Sequence, residues 1–315
     1  MPAASFDASA AYQRLEAQDK VVRPRFGVRL PVLRPSSQRI VFVLAAVLVL
    51  GAVITASVNV SQIFAPKTVK PVPVTLAELQ SLPDLSAYGT ITWSVAPQPS
   101  LVPDTATAAQ IAGFTPPKVT TLPAGISSTV TYGAMPQAVG VFKFDAAKAA
   151  AAAQAQGKTL PAMPAGMDGS TLTLTMGPAI VEIFGELNIP DSSSSKQPSQ
   201  LHLPQLVVAE SRAPSVNSTG VSVKELEDYL LAQPGISPQL AADIRAIGDP
   251  TTTLPIPVPV QYATSSKVQV QGVDGVALGD NTGVGAAVVW IKSDVFFVGG
   301  SLKLSDVLSI ANGLS

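Results

Sequence analysis

Between Ile40 and Val58 the chain carries no charged residue, and twelve of these nineteen positions are Ile, Val, Leu or Phe. At 1.5 Å per residue such a helix spans about 28 Å, close to the ~30 Å hydrocarbon core of a bilayer. Each of those apolar residues favours insertion by roughly 0.3–0.6 kcal/mol. A core helix of a globular protein is rarely apolar on every side for this length. The run therefore predicts a transmembrane helix over 40–60, with the lipid bilayer as its partner. Lys20, Arg23, Arg25, Arg29, Arg34 and Arg39 precede it closely, and only Lys67 and Lys70 follow at a comparable distance. The positive-inside rule then places the N-terminus in the cytoplasm. The preceding tail is long for a signal peptide, and Thr55-Ala56-Ser57 is a poor cleavage site, so an uncleaved signal-anchor is expected.

The expected layout is a basic cytoplasmic tail over 1–39, the span over 40–60, a Pro-rich stalk over 61–74 and an extracytoplasmic α+β domain over 75–315. Pro24, Pro31 and Pro35 break any helix in the tail. Pro66, Pro71 and Pro73 suggest a stiff polyproline-like spacer after the membrane. The chain has no cysteine, which excludes disulfides, thiolate zinc sites, iron–sulfur clusters and a cysteine nucleophile. A disulfide-free domain outside the membrane is ordinary in bacteria. With a net charge of −1, nothing global points to nucleic acid.

Along the outer region, helices and strands alternate. Leu76, Leu79 and Leu82 mark a short helix, and Thr90–Val95 a strand. Asp104 is a good N-cap for a helix ended by Gly113, and Asp145 caps an alanine-rich helix ending at Gly157. Ser127–Thr131 and Val139–Phe144 suggest a hairpin about a Gly133–Pro136 turn. Thr171–Met176 alternates as a half-buried strand, and Ala179–Phe184 and Leu206–Ala209 follow. Ser222-Val223-Lys224-Glu225 is a capping box, and Ser237-Pro238 opens the next helix. Leu254–Pro259, with a proline at every second position, must be extended but cannot be a central strand. Strands over Val268–Gln271, Ala286–Ile291 and Val295–Val298, then a helix from Ser305, close the chain. The serine-rich 188–200 segment is either a subdomain break or a long hairpin loop, the loop being favoured. The expected fold is one curved antiparallel sheet packed against helices.

Two stretches carry a resemblance. Ala109–Phe114 followed by Pro116 and Leu122-Pro123-Ala124-Gly125 is one. The other joins Val289-Trp290-Ile291, Phe297-Val298-Gly299-Gly300 and Leu304–Ala311. Together they resemble the extracytoplasmic domains of bacterial membrane-anchored anti-sigma-type regulators, and related lipoprotein-carrier-like domains of unknown function. The resemblance implies a curved antiparallel sheet wrapped against helices, with a sensing or binding role in place of catalysis. Residues 1–39 hold neither the His nor the paired Cys of a zinc-binding anti-sigma domain, which argues against direct capture of a sigma factor.

The chemistry available is thin. His202 is the only histidine, so no metal triad or two-histidine zinc motif can form. Gly157-Lys158-Thr159 ends like a P-loop, but the required earlier glycine is Ala152 and a helix precedes it. Asp280 and Asn281 offer oxygen ligands in a turn-rich stretch that lacks the EF-hand spacing, so a hairpin loop is expected there. Glu225, Glu227 and Asp228 suit a solvated helix face, and Trp93 and Trp290 suit core packing more than ligand stacking. No catalytic, cofactor-binding or metal-ligating residue is expected, no cofactor is expected, and no residue identifies a partner. The expected function is a non-catalytic envelope binding or sensing module acting on a protein partner or an apolar ligand. A structural envelope protein, or a hydrolase built on His202, is the alternative.

Overall fold

The structure, a computed structural model, describes residues 61–81, 85–185, 204–234, 236–249 and 251–315. A five-stranded sheet runs in the order β1 (Ser61–Phe64), β10 (Ser215–Thr219), β7 (Thr171–Met176), β6 (Ala138–Phe144), β3 (Gly89–Val95). An eight-stranded antiparallel sheet runs β12 (Ala263–Val270), β13 (Val273–Asp280), β14 (Ala286–Ile291), β15 (Val295–Gly300), β9 (Leu206–Ser211), β8 (Ala179–Phe184), β5 (Val130–Met135), β4 (Ser100–Val102). A third sheet has two parallel strands, β2 (Thr68–Val74) and β11 (Thr253–Pro259). Six helices accompany them: α1 (Leu76–Ser81), α2 (Thr105–Ala112), α3 (Ala146–Ala155), α4 (Val223–Leu231), α5 (Pro238–Arg245) and α6 (Leu304–Asn312).

The two large sheets are the halves of four bent strands. The chain passes directly from β3 to β4, from β5 to β6, from β7 to β8 and from β9 to β10. The order β10-β7-β6-β3 in one sheet is matched by β9-β8-β5-β4 in the other. Every one of the four joints contains proline: Pro97 and Pro99, Pro136, Pro178, and Pro214. A proline has no N–H to give to a ladder and fixes φ, so each strand drops out of one sheet there and enters the next. Space at the corner is tight. A Cβ at Gly177 would come within 2.4 Å of the Arg212 carbonyl oxygen, while the Arg212 N–H donates to the Pro178 carbonyl at 3.0 Å. Gly177→Ala is therefore expected to cost about 1–3 kcal/mol through forced backbone shifts. A urea midpoint unchanged from the parent would show that the corner yields freely.

Proline also explains why the parallel sheet stops at two strands. In the register Val72↔Pro257, Lys70, Val72 and Val74 alternate with Pro71 and Pro73, and Leu254, Ile256 and Val258 alternate with Pro255, Pro257 and Pro259. N–H groups alternate sides along a strand, so all five prolines fall on the two outer edges, where no donor remains to recruit another strand. The pairing extends at both ends, with Thr68 N–H donating to Thr252 and Val260 N–H to Val74. Lys70 Nζ donates to the Ile247 carbonyl just beyond α5 at 2.6 Å, a favourable cation at a helix C-terminus.

Two cores result. In the first, Phe144, Leu172 and Val216 of the five-stranded sheet meet Leu226 and Tyr229 of α4, Val69 and Leu254 of the parallel pair, and Val276, Val289 and Ile291 of the larger sheet. In the second, Val307, Ile310 and Ala311 of α6 pack on Val288, Trp290, Val298 and Val208. Strand β14 therefore buries both its faces, which is why its sequence Ala-Ala-Val-Val-Trp-Ile is apolar without alternation.

These findings correct several expectations. The fold is not one curved antiparallel sheet behind a membrane helix but a β-dominated α+β arrangement of three sheets, 22% helical and 40% strand, one sheet being parallel. No helix among the described residues is long and apolar enough to cross a membrane, and the single-pass, signal-anchor reading is corrected on that finding. The expected span over 40–60, the tail over 1–39 and the 188–200 segment lie outside the described residues. The strands flanking 188–200, β8 and β9, are antiparallel neighbours in one sheet. The expected stalk over 61–74 is instead β1 and β2, with Phe64, Val69, Val72 and Val74 buried. Its Thr-Val-Lys-Pro-Val-Pro-Val alternation is the period of an edge strand, and its prolines suit that place as well as a polyproline helix. Finally, β5 and β6 are not a hairpin: Gly133–Met135 continue the strand, and Pro136 sends β6 into the other sheet.

Candidate functional site

One face of the five-stranded sheet is built by alternate residues of four strands. Register rows place Ile91 beside Phe142 and Leu172, and Trp93 beside Gly140, Leu174 and Val216. Gly140 lets the Trp93 indole lie down on the sheet. A Cβ there would sit 2.9 Å from the indole Cζ3. Helix α4, fixed by its capping box in which Ser222 and Glu225 exchange hydrogen bonds, brings Leu226 and Leu230 over this face one turn apart. A 3-10 turn at Leu85–Ala87, followed by Tyr88, closes a further side.

Between them lies a cavity of about 80 Å³ lined by Leu85, Tyr88, Ile91, Trp93, Phe142, Leu174, Leu230 and the buried floor of Phe144, Leu172, Val216 and Leu226. Ile91, Trp93 and Leu174 are only half-buried, as are Leu85, Tyr88, Phe142 and Leu230. Among the described residues no charged side chain lines it. Burial, with Tyr229 close by, raises the Tyr88 phenol above its usual range, which keeps it neutral. Among the described residues the lining holds no nucleophile, acid–base pair or metal donor set. What it offers is dispersion contact and release of water from apolar surface, about 25 cal/mol per Å² covered.

A second group of titratable side chains lies elsewhere, on the face of the eight-stranded sheet that carries Val208 and Trp290. Glu182, beside Tyr132 and Val208, and Glu210, beside Ile180 and Phe296, are both buried. Burial pushes each carboxyl up to about 7, and for Glu210 the neighbouring Asp294 adds to the rise while Arg212 opposes it. Arg212 Nη1 bonds Asp294 Oδ2 at 2.5 Å, and its guanidinium lies 4.7 Å from the Phe114 ring centroid. Among the described residues no group of three or more His, Cys, Asp or Glu could hold a metal ion. Neither carboxyl is among the residues that line the cavity.

Of the residues singled out in the sequence, Trp93 lines the cavity in place of packing in a core, and Trp290 is fully buried in the second core. Asp280 closes the β13–β14 loop on itself, accepting from Thr282 Oγ1 at 2.9 Å and from the N–H groups of Val284 and Gly285 at 3.0 Å. Gly157, with φ 63°, ends α3 as a helix terminator and not as a phosphate loop. Glu225 is held in the capping box, and Asp228 faces Arg245 at 3.8 Å. His202 lies outside the described residues. The residues that build the cavity, Gly140, Phe142 and Leu174 above all, were not singled out in advance. Their signal, the alternation of β6 and β7, identifies a face but not an unfilled one.

No family model, no curated protein and no solved structure matches this chain.

Proposed function

We propose that the protein is a non-catalytic binding module that takes an apolar ligand in the cavity between the five-stranded sheet and α4. The observation that carries this reading is the lining itself: apolar and aromatic among the described residues, with the Trp93 indole half-buried in it. A polar group inserted there would find no hydrogen-bond partner and would pay its desolvation, so the inserted part of the ligand is hydrocarbon. Each buried methylene contributes about 0.8 kcal/mol. A short alkyl segment filling the space thus gives micromolar-class binding only when further contacts lie outside the cavity.

The test uses ω-bromododecanoic acid, whose bromine quenches a tryptophan it touches. Titration is expected to quench Trp93 while leaving the Trp290 component, buried under α6, unchanged. The Trp93→Phe chain should lose the quench. Leu174→Asn, at a half-buried lining position, should weaken binding about tenfold by placing an amide against hydrocarbon. Quenching that persists in Trp93→Phe, or that ignores Leu174→Asn, would place the ligand elsewhere and end this reading.

A further inference from the structure

The cavity is flanked by the open edge of β3. Among the described residues, β3 pairs with β6 alone. Asp145 N–H donates to the Tyr88 carbonyl and Phe144 N–H to Ser170. Residues 88, 90 and 92 therefore face β6, while the backbone groups of Gly89, Ile91 and Trp93 point outward. Lys148 Nζ takes the Gly89 carbonyl at 3.2 Å, and a bulge between Trp93 and Val95 ends regular pairing on the other side. The N–H and C=O groups of Ile91 and Trp93 are left between these two guards, and nothing among the described residues bonds to them. The side chains of the same two residues line the cavity.

Four other edges among the described residues are guarded. The parallel pair presents five prolines outward. Strand β4 has three residues, and β12 carries Lys267, ion-paired to Asp274. Within β3, Gly89–Val95 has neither proline nor charge. Natural sheets blunt their edges with such devices, so an undefended stretch that coincides with an apolar cavity is a place for another strand.

We propose that the ligand is an extended polypeptide segment from another protein, added antiparallel to β3 at Ile91 and Trp93. This deepens the binding-module reading and rests on it. Alternating outward N–H and C=O groups select a peptide backbone over a lipid, because a hydrocarbon chain cannot satisfy them. A peptide residue paired with Ile91 or Trp93 turns its side chain to the same face, toward the cavity. The recognised segment therefore carries apolar residues at every second position, and it is those residues whose N–H groups bond β3.

The experiment titrates the full chain into fluorescein-labelled acetyl-Ser-Thr-Val-Thr-Leu-Thr-Val-Ser-Lys amide and follows anisotropy. Binding is expected, and N-methylation of the Val and Leu amides should weaken it at least about tenfold. N-methylation of the Thr amides, which point away from β3, should change it less than about threefold. Equal loss from both methylations would overturn strand addition in favour of plain apolar docking. Failure of the peptide to bind while ω-bromododecanoic acid still quenches Trp93 would overturn strand addition and leave the cavity reading standing. Failure of both probes would end the two together. A self-associated chain that the peptide dissociates, seen by sedimentation velocity, would overturn the foreign partner and make a second copy the occupant.

Discussion

Replacing Trp290 with alanine is expected to cost about 3–5 kcal/mol, the largest loss from any single truncation in this molecule. The indole is fully buried, stacks on Phe296 at a centroid distance of 5.2 Å, and lies beneath the α6 residues Val307 and Ile310. Strand β14 joins the two cores, so a void there loosens α6 on one face of the eight-stranded sheet. Trp290→Phe is expected to cost much less, about 1 kcal/mol, because Trp290 Nε1 finds no hydrogen-bond partner among the described residues and phenylalanine removes that buried donor. Trp93→Ala, at a half-buried position, should fall below about 2 kcal/mol. Urea denaturation of the three variants orders them. A Trp290→Ala midpoint within about 1 kcal/mol of the parent would mean that α6 is not held by this core.

How much of this was legible in the sequence depends on whether the signal was local. Helix ends were, because their chemistry is complete within four residues. Asp104 accepts from Thr107 N–H and Gly113 adopts φ 75°, so α2 begins and ends where the cap residues place it. The capping box at Ser222 and the Ser237-Pro238 start of α5 are equally self-contained. The strands Thr171–Met176 and Ala179–Phe184 were legible too, since period-two patterning needs no partner to be seen. What the sequence hid was which sheet each strand joins. Pro136 and Pro178 look like hairpin turns in one dimension. In three dimensions they pass strands between sheets, and only the pairing of distant segments separates the two outcomes. The parallel pairing of residues 68–74 with 253–259 spans most of the domain and leaves no local trace beyond two proline-valine runs.

The cavity was hidden for a related reason. Gly140 in Val139-Gly140-Val141-Phe142 resembles any weak spot in a strand until Trp93, from a segment some fifty residues earlier, is laid across it. An apolar row shows in a sequence; the unfilled space above it depends on how far α4 stands off. Glu182 was obscured differently. In Ala-Ile-Val-Glu-Ile-Phe one expects the glutamate on the solvated face, but β8 sits in mid-sheet, and Ile180, Glu182 and Phe184 share the buried one.

That misplaced pair of carboxyls has a measurable consequence. Glu182 and Glu210 hold their protons up to about pH 7 in the folded chain, against an ordinary 4.5. Between those values the folded state binds protons that the unfolded chain has released, so stability falls as pH rises through the window and levels off above it. The carboxylates whose proton affinity is lowered, Glu78, Glu225, Asp104, Asp249, Asp274 and Asp280, act in the opposite sense. Their contribution disappears only as pH drops below the ordinary carboxylate range, outside the window. A carboxyl moved as far as either glutamate would give up about 3 kcal/mol if fully dry; partial wetting lowers the expected sum for both to about 2–4 kcal/mol. In a domain of this size that is roughly 5–15 °C in Tm between pH 5 and pH 8.5. The Glu182→Gln/Glu210→Gln double variant should flatten most of the decline and exceed the parent at pH 8.5, since a neutral amide pays no ionisation cost. Of the two, Glu210 should respond more to Asp294→Asn, which removes the negative neighbour that raises it, while Glu182, moved by burial alone, should not respond. A parent whose Tm is level from pH 5 to pH 8.5, or a double variant with an undiminished slope, would mean that these carboxyls ionise as freely in the fold as outside it.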